Sequence, residues 1–183
     1  MNHLSFLTVD TDISVADAIA CLTFLALIIS GIFALIKWNK SLKLKRAEYI
    51  KTLFDEIREK EQIQKVFNLF EYNERWYCKD FHNSNGNLEH DVDYTLRFFS
   101  YICYLYEQRI IGNAEFNSFK YEIHRILTNT QFQQYFYNLY HFSVRQKQPI
   151  TFLYLLRYAK KNKYLDDEFW NSKSKYYQHI LNF

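Results

Sequence analysis

The sequence predicts an all-α chain: one N-terminal transmembrane helix followed by an aromatic-rich cytosolic helical bundle. Three observations carry that expectation. The run Ala18–Ile36 has 19 residues without a charge, with acids before it and a dense cluster of Lys and Arg after it. One Pro and three Gly are too few breakers in 183 residues for a many-stranded sheet. Beyond residue 40, apolar side chains recur every three or four positions, the period of one helical face. The 16 Tyr and 17 Phe offer far more apolar surface than a disordered chain carries, and the length suits one domain plus an anchor.

The domain organisation follows: residues 1–14 as a short extracytoplasmic N-terminus, 15–38 as the transmembrane helix, and 39–183 as the cytosolic helical domain. As a helix, Ala18–Ile36 is about 28 Å long, near the thickness of a hydrocarbon core. Its 11 Leu, Ile and Phe side chains contribute about −3 to −7 kcal/mol to insertion. A signal peptide would need a basic leader, which MNHLSFLTVDTDISVADA lacks. A buried core helix of 19 uncharged residues is rare in a domain this small.

Charge sets the orientation. The first 36 residues hold Asp10, Asp12 and Asp17 and no Lys or Arg, so they carry −3 and the rest of the chain +6. Lys37, Trp38, Lys40, Lys43, Lys45 and Arg46 form an interfacial collar. By the positive-inside rule, the N-terminus lies outside and residues 37–183 in the cytosol. Ala26, Ser30 and Ala34 recur every four residues beside Gly31, a spacing that lets a second membrane helix approach closely. Homo-oligomerisation through this face is therefore expected, alongside chance as the plainer explanation.

After the collar, Leu44, Ala47, Ile50, Leu53, Phe54 and Ile57 mark one helical face, continued by Ile63, Val66, Phe67 and Phe70. With neither Pro nor Gly between them, the membrane helix is expected to run into this one. HNSNGN, residues 82–87, reads as a loop. A helix over about 89–109 presents Val92, Leu96, Phe99, Cys103 and Tyr106, and Gly112–Asn113 is expected to stop it. Asn113 would cap a helix facing Phe116, Phe119, Ile123, Ile126 and Leu127 inward. Residues 130–142 follow with Phe132, Tyr135, Phe136 and Leu139, and Pro149 would start a helix holding Phe152, Leu155, Leu156 and Ala159. A last helix from Asp166 would be anchored by Phe169, Trp170, Tyr177, Ile180 and Leu181. Short connections imply antiparallel neighbours.

Chemistry is harder to find. There is no GxGxxG, GxxxxGK[ST], GxSxG, CxxC or HExxH, so neither a catalytic residue nor a cofactor is assigned and enzyme activity is not expected. Cys78, His82 and His90 are the best metal-ligand candidates, although a polar loop with a helix cap explains them as simply. Cys21 and Cys103 fall on apolar faces as small hydrophobes. Arg157, Lys160, Lys161 and Lys163, interleaved with Tyr158 and Tyr164, could contact phosphates and stack bases. A solvated helix end accounts for the same pattern.

RAEYIKTLFDEI, from Arg46, and LRFFSYICYLYEQRIIGNAEF resemble the first cytosolic helix and the central segment of a bacterial family of uncharacterised small membrane proteins, common near prophages and mobile elements. The resemblance covers Arg46 to about Tyr140 and rests on packing motifs. It departs in the turn, where an expected acid pair is reduced to Glu115. It implies one membrane helix, a helical cytosolic domain and a bacterial inner (cell) membrane location. Two functional classes follow. The first is a membrane-anchored interaction or effector protein, as in an antiphage-defence or toxin-like system. The second is a membrane-tethered nucleic-acid binder or metal-dependent enzyme. Expected partners are the bilayer, a second copy or another protein on the bundle, and nucleic acid at the basic stretch.

Overall fold

The computed structural model describes residues 14–72, 75–78, 81, 87–175 and 177. Among them every regular element is a helix. The chain divides into two compact units, Met1–Thr52 and Leu53–Phe183.

α1, Val15–Glu59, is an unbroken helix of 45 residues, about 68 Å long, that forms the first unit as far as Thr52 and continues into the second. Its start is a capping box. Asp17 N–H donates to Ser14 Oγ at 3.2 Å, and Ser14 N–H donates back to Asp17 Oδ2 at 3.2 Å. Within the apolar run, Thr23 Oγ1 donates to the Ile19 carbonyl at 2.8 Å, so its hydroxyl is satisfied inside the helix. The expected fusion of the apolar helix with the amphipathic one is present, but the inward face starts later than its spacing suggested. Leu44 and Ala47 are exposed, Ile50 is half-buried and Leu53 is buried.

In the second unit, Lys60 is extended (φ −76°, ψ 113°) and breaks the helical run before α2, Glu61–Glu71. No Gly or Pro marks this break. Gln64 Nε2 donates to the Ile57 carbonyl at 2.6 Å across it, and the bend lets Ile63, Val66 and Phe67 reach the core. α3, Asn87–Glu107, packs against α2 and against α7, Leu153–Lys161. Its Val92, Leu96, Phe99, Ile102 and Cys103 are buried. The expected stop at Gly112–Asn113 is corrected. Arg109 ends the helix in the left-handed region (φ 58°), with Ile110 N–H donating to the Leu105 carbonyl at 2.9 Å. Gly112 then serves as the N-cap of α4, Asn113–Asn117, and its N–H donates to Glu115 Oε2 at 2.8 Å. Asn113 instead accepts from the Tyr106 hydroxyl at 2.8 Å.

The inward positions from Phe116 to Leu127 are all buried, as their spacing suggested, but Phe116 lies on α4, Phe119 is the N-cap of α5, Lys120–Thr128, and the rest lie on α5. α6, Thr130–Gln146, is capped by Asn129, whose side chain accepts from the N–H groups of Gln131 and Phe132. Leu139 is only half-buried. Pro149 does not start α7, whose N-cap is Phe152, left-handed at φ 55° and buried. Among the described residues, the expected tail helix is a single 3-10 turn, Asp167–Trp170, where Asp166 Oδ1 accepts from Phe169 N–H at 2.9 Å. Ile180 and Leu181 lie outside the described residues, as do residues 82–86 of the expected loop and residues 1–13 of the expected N-terminal segment.

Aromatic rings fill much of this core. Trp76 and Tyr77, on an irregular strap, pack on Phe81, Phe132 and Tyr135 at centroid distances of 4.7–6.1 Å. Phe54 stacks on Phe119 at 4.6 Å. Phe169 meets Tyr137 edge-on at 5.9 Å. Stacks and T-shaped pairs of this kind contribute about 0.5–1.5 kcal/mol each beyond area burial.

Candidate functional site

Two parts of the chain carry surface chemistry, and they lie in different units. In the first, α1 is long and apolar enough to cross a membrane, by length and composition, and none of its apolar window is buried. Leu22, Phe24, Phe33 and Leu35 are each 65–67% exposed. Ala26, Ser30 and Ala34 are exposed too, and a methyl group added at Gly31 would meet no atom within 4 Å. Lys37, Trp38, Lys40, Lys43, Lys45 and Arg46 follow on the same helix, all exposed.

In the second unit, the basic stretch does not form one row. Arg157 and Lys161 lie one turn apart on α7 and line a cavity of about 170 Å³ with Cys103, Tyr106, Glu107, Tyr154 and Tyr158. Tyr106, Glu107 and Lys161 also line an adjoining cavity of about 460 Å³, completed by Arg109, Ile111, Gly112 and Asn113. Lys160 turns away, its ammonium 4.6 Å from the centroid of the Trp170 ring, beside a third cavity of about 150 Å³. Lys163, left-handed at φ 58°, lines none of these three.

The electrostatics of the two joined cavities follow from their pairs. Arg157 Nη1 donates to Glu107 Oε1 at 2.9 Å, and its guanidinium lies 5.5 Å from the Tyr154 centroid. Three cations and one carboxylate line the joined cavities, a balance of +2. Among the described residues, neither Arg109 nor Lys161 has an ion-pair partner. Tyr106 stacks on Phe116 at 4.0 Å with an interplanar angle of 11°, which fixes a ring that lines both cavities. Burial pushes the Tyr158 hydroxyl up to about 12 and the Cys103 thiol up as well, so neither is ionised near neutral pH. Cys103 is accordingly a wall of the cavity and no nucleophile.

Of the metal candidates, two lie among the described residues. Cys78 is half-buried, His90 is exposed on α3, and His82 lies outside the described residues. Among the described residues, no group of three His, Cys, Asp or Glu is placed to hold a metal ion. Elsewhere, His141 Nε2–H donates to the Phe169 carbonyl at 2.9 Å, a structural role.

Glu107, Arg109 and Tyr154 were absent from the sequence-level candidates. The one available signal was the pair of i,i+4 repeats Tyr154/Tyr158 and Arg157/Lys161 on a short helix. Their partners on α3 sit about 50 residues earlier, and helical period alone does not tell which faces meet. No family model, no curated protein and no solved structure matches this chain.

Proposed function

We propose that this chain is a single-pass membrane protein whose α1 anchors a helical interaction module. The observation that carries this reading is an apolar window in a 45-residue helix, none of it buried by the chain. Left in water, those side chains would form a far larger apolar patch than soluble monomers expose. A bilayer covers them, and a helix leaves no backbone group unsatisfied there. The collar from Lys37 to Arg46 supports an orientation with the C-terminal unit in the cytosol.

Leu27→Arg tests the anchor directly. An arginine at the helix centre opposes insertion by about 2.5–3.5 kcal/mol. The wild-type chain is expected to stay in the membrane pellet after alkaline carbonate extraction, with the variant shifting substantially to the supernatant. Release of the wild-type chain would overturn the reading.

The effector form of the proposal adds that self-association along Ala26, Ser30 and Ala34 perturbs the membrane of a bacterial host. Inducible expression with a membrane-potential dye is expected to depolarise cells, and Ser30→Leu, which blocks close helix approach, to abolish the effect. Depolarisation that persists in Ser30→Leu would remove this mechanism, and no depolarisation would leave an interaction protein without effector action.

A further inference from the structure

We propose that the joined cavities between α3 and α7 bind a nucleotide, its base against the tyrosines and its phosphate against Arg109 and Lys161. The inference goes beyond membrane anchoring and does not depend on it.

Shape comes first. The two cavities share Tyr106, Glu107 and Lys161 in their walls, so they adjoin as a narrow end and a wide end. The wide end, about 460 Å³, already falls within the range of small-molecule sites, about 300–1,000 Å³. The narrow end is walled by Tyr106, Tyr154, Tyr158 and Cys103. Phenol rings bind any base through its π-face, without requiring one hydrogen-bond pattern.

Both ends carry charge: Glu107, Arg157 and Lys161 line the narrow one, and Glu107, Arg109 and Lys161 the wide one. Glu107 would repel an anion, but Arg157 holds it at 2.9 Å, leaving Arg109 and Lys161 as the uncommitted cations of the cleft. Both line the wide end, and Arg109 is absent from the narrow one. Asn113 and Gly112 complete the wide wall. An aromatic slot opening onto two unpaired cations fits a planar ring joined to a phosphate. An apolar peptide would leave both cations unused, and inorganic phosphate would leave the slot empty.

Free nucleotide and the end of a single strand share this chemistry, and titration calorimetry on the full chain in detergent micelles separates them. The probes are AMP, a 5′-phosphorylated 12-mer oligoadenylate, adenosine and pyrophosphate. Saturable binding of AMP, of the oligonucleotide, or of both is expected. Oligonucleotide binding at least about tenfold tighter than AMP assigns the site to strand ends; otherwise it belongs to free nucleotide. Lys161→Glu and Arg109→Glu should each weaken binding about tenfold or more, with Lys173→Glu unchanged. If melting curves show a charge reversal to be misfolded, Lys161→Ala and Arg109→Ala replace it. The proposal is overturned by no saturable binding of either nucleotide probe. It also falls if adenosine or pyrophosphate binds as tightly as the best nucleotide, or if affinity is unmoved by both variants.

Discussion

Gln131 Oε1, at the start of α6, accepts hydrogen bonds from two consecutive backbone N–H groups, those of Trp76 at 2.8 Å and Tyr77 at 2.9 Å. One side-chain carbonyl thus holds an irregular strap whose two rings are 5% and 3% exposed. A buried N–H without an acceptor costs about 1–3 kcal/mol. Gln131→Ala removes the acceptor of both contacts and is expected to destabilise the second unit by about 2–4 kcal/mol. Gln131→Glu keeps an acceptor and should recover at least about half of that loss. Chemical denaturation of the three proteins in the same detergent checks it, and equal stabilities would show that the strap is held by its rings alone.

Tyr77 also makes the unit sensitive to alkali. Its hydroxyl is pushed up to about 12, chiefly by burial, while accepting from Asn138 Nδ2 at 2.9 Å. A phenol raised in the folded state contributes stability that is whole below pH 10, its unfolded value. That contribution falls as pH rises towards 12, with a slope of about 1.4 kcal/mol per pH unit for one such group. Tyr135, raised by burial and then by Asp93, whose Oδ1 accepts its hydroxyl at 2.7 Å, loses stability in the same direction. Melting temperature should therefore be flat from pH 8 to 9.5 and fall above pH 10. Tyr77→Phe should lessen the fall, and an unchanged alkaline slope would count against this origin.

Phe169 offers a test of the C-terminal turn. It is fully buried, meets Tyr137 and Tyr177 edge-on at 5.9 and 5.6 Å, and its carbonyl accepts from His141 at 2.9 Å. Phe169→Ala should cost about 3–5 kcal/mol, and Phe169→Leu about half of that or less. Denaturant midpoints measure both. A cost below about 1 kcal/mol for the alanine variant would mean that the turn is peripheral to stability.

What could be read in the sequence divides along physical lines. Faces were legible: Val92, Leu96, Phe99 and Cys103, or Ile123, Ile126 and Leu127, are buried because apolar side chains spaced by three and four share one side of a helix. Ends were poorly legible. α3 and α6 stop at left-handed Arg109 and Lys147, and α7 begins after left-handed Phe152. Tertiary packing imposes these conformations on side chains that give no glycine signal. The break at Lys60 is of the same kind. The cleft was half legible: Arg157 and Lys161 stood out as cations among tyrosines, whereas Glu107 and Arg109 became relevant only once α3 packed against α7.

Arg109 and Lys163 are both left-handed at φ 58°, and both are exposed. A non-glycine residue there costs about 1–2 kcal/mol, part of which glycine returns through its freer unfolded chain. Arg109→Gly and Lys163→Gly are each expected to stabilise the second unit by about 0.5–1 kcal/mol. Phe152→Gly should not, although its φ is 55°, because it removes a buried ring that meets Phe136 at 6.1 Å. The two stabilising variants should then part company in binding. Arg109 lines the wide end of the cleft and Lys163 does not, so Arg109→Gly should melt higher yet bind nucleotide about tenfold more weakly, while Lys163→Gly melts higher and binds as before. Thermal melts paired with titrations read both quantities on the same samples. Stabilisation of Arg109→Gly without loss of affinity would mean that its left-handed backbone serves only to end α3.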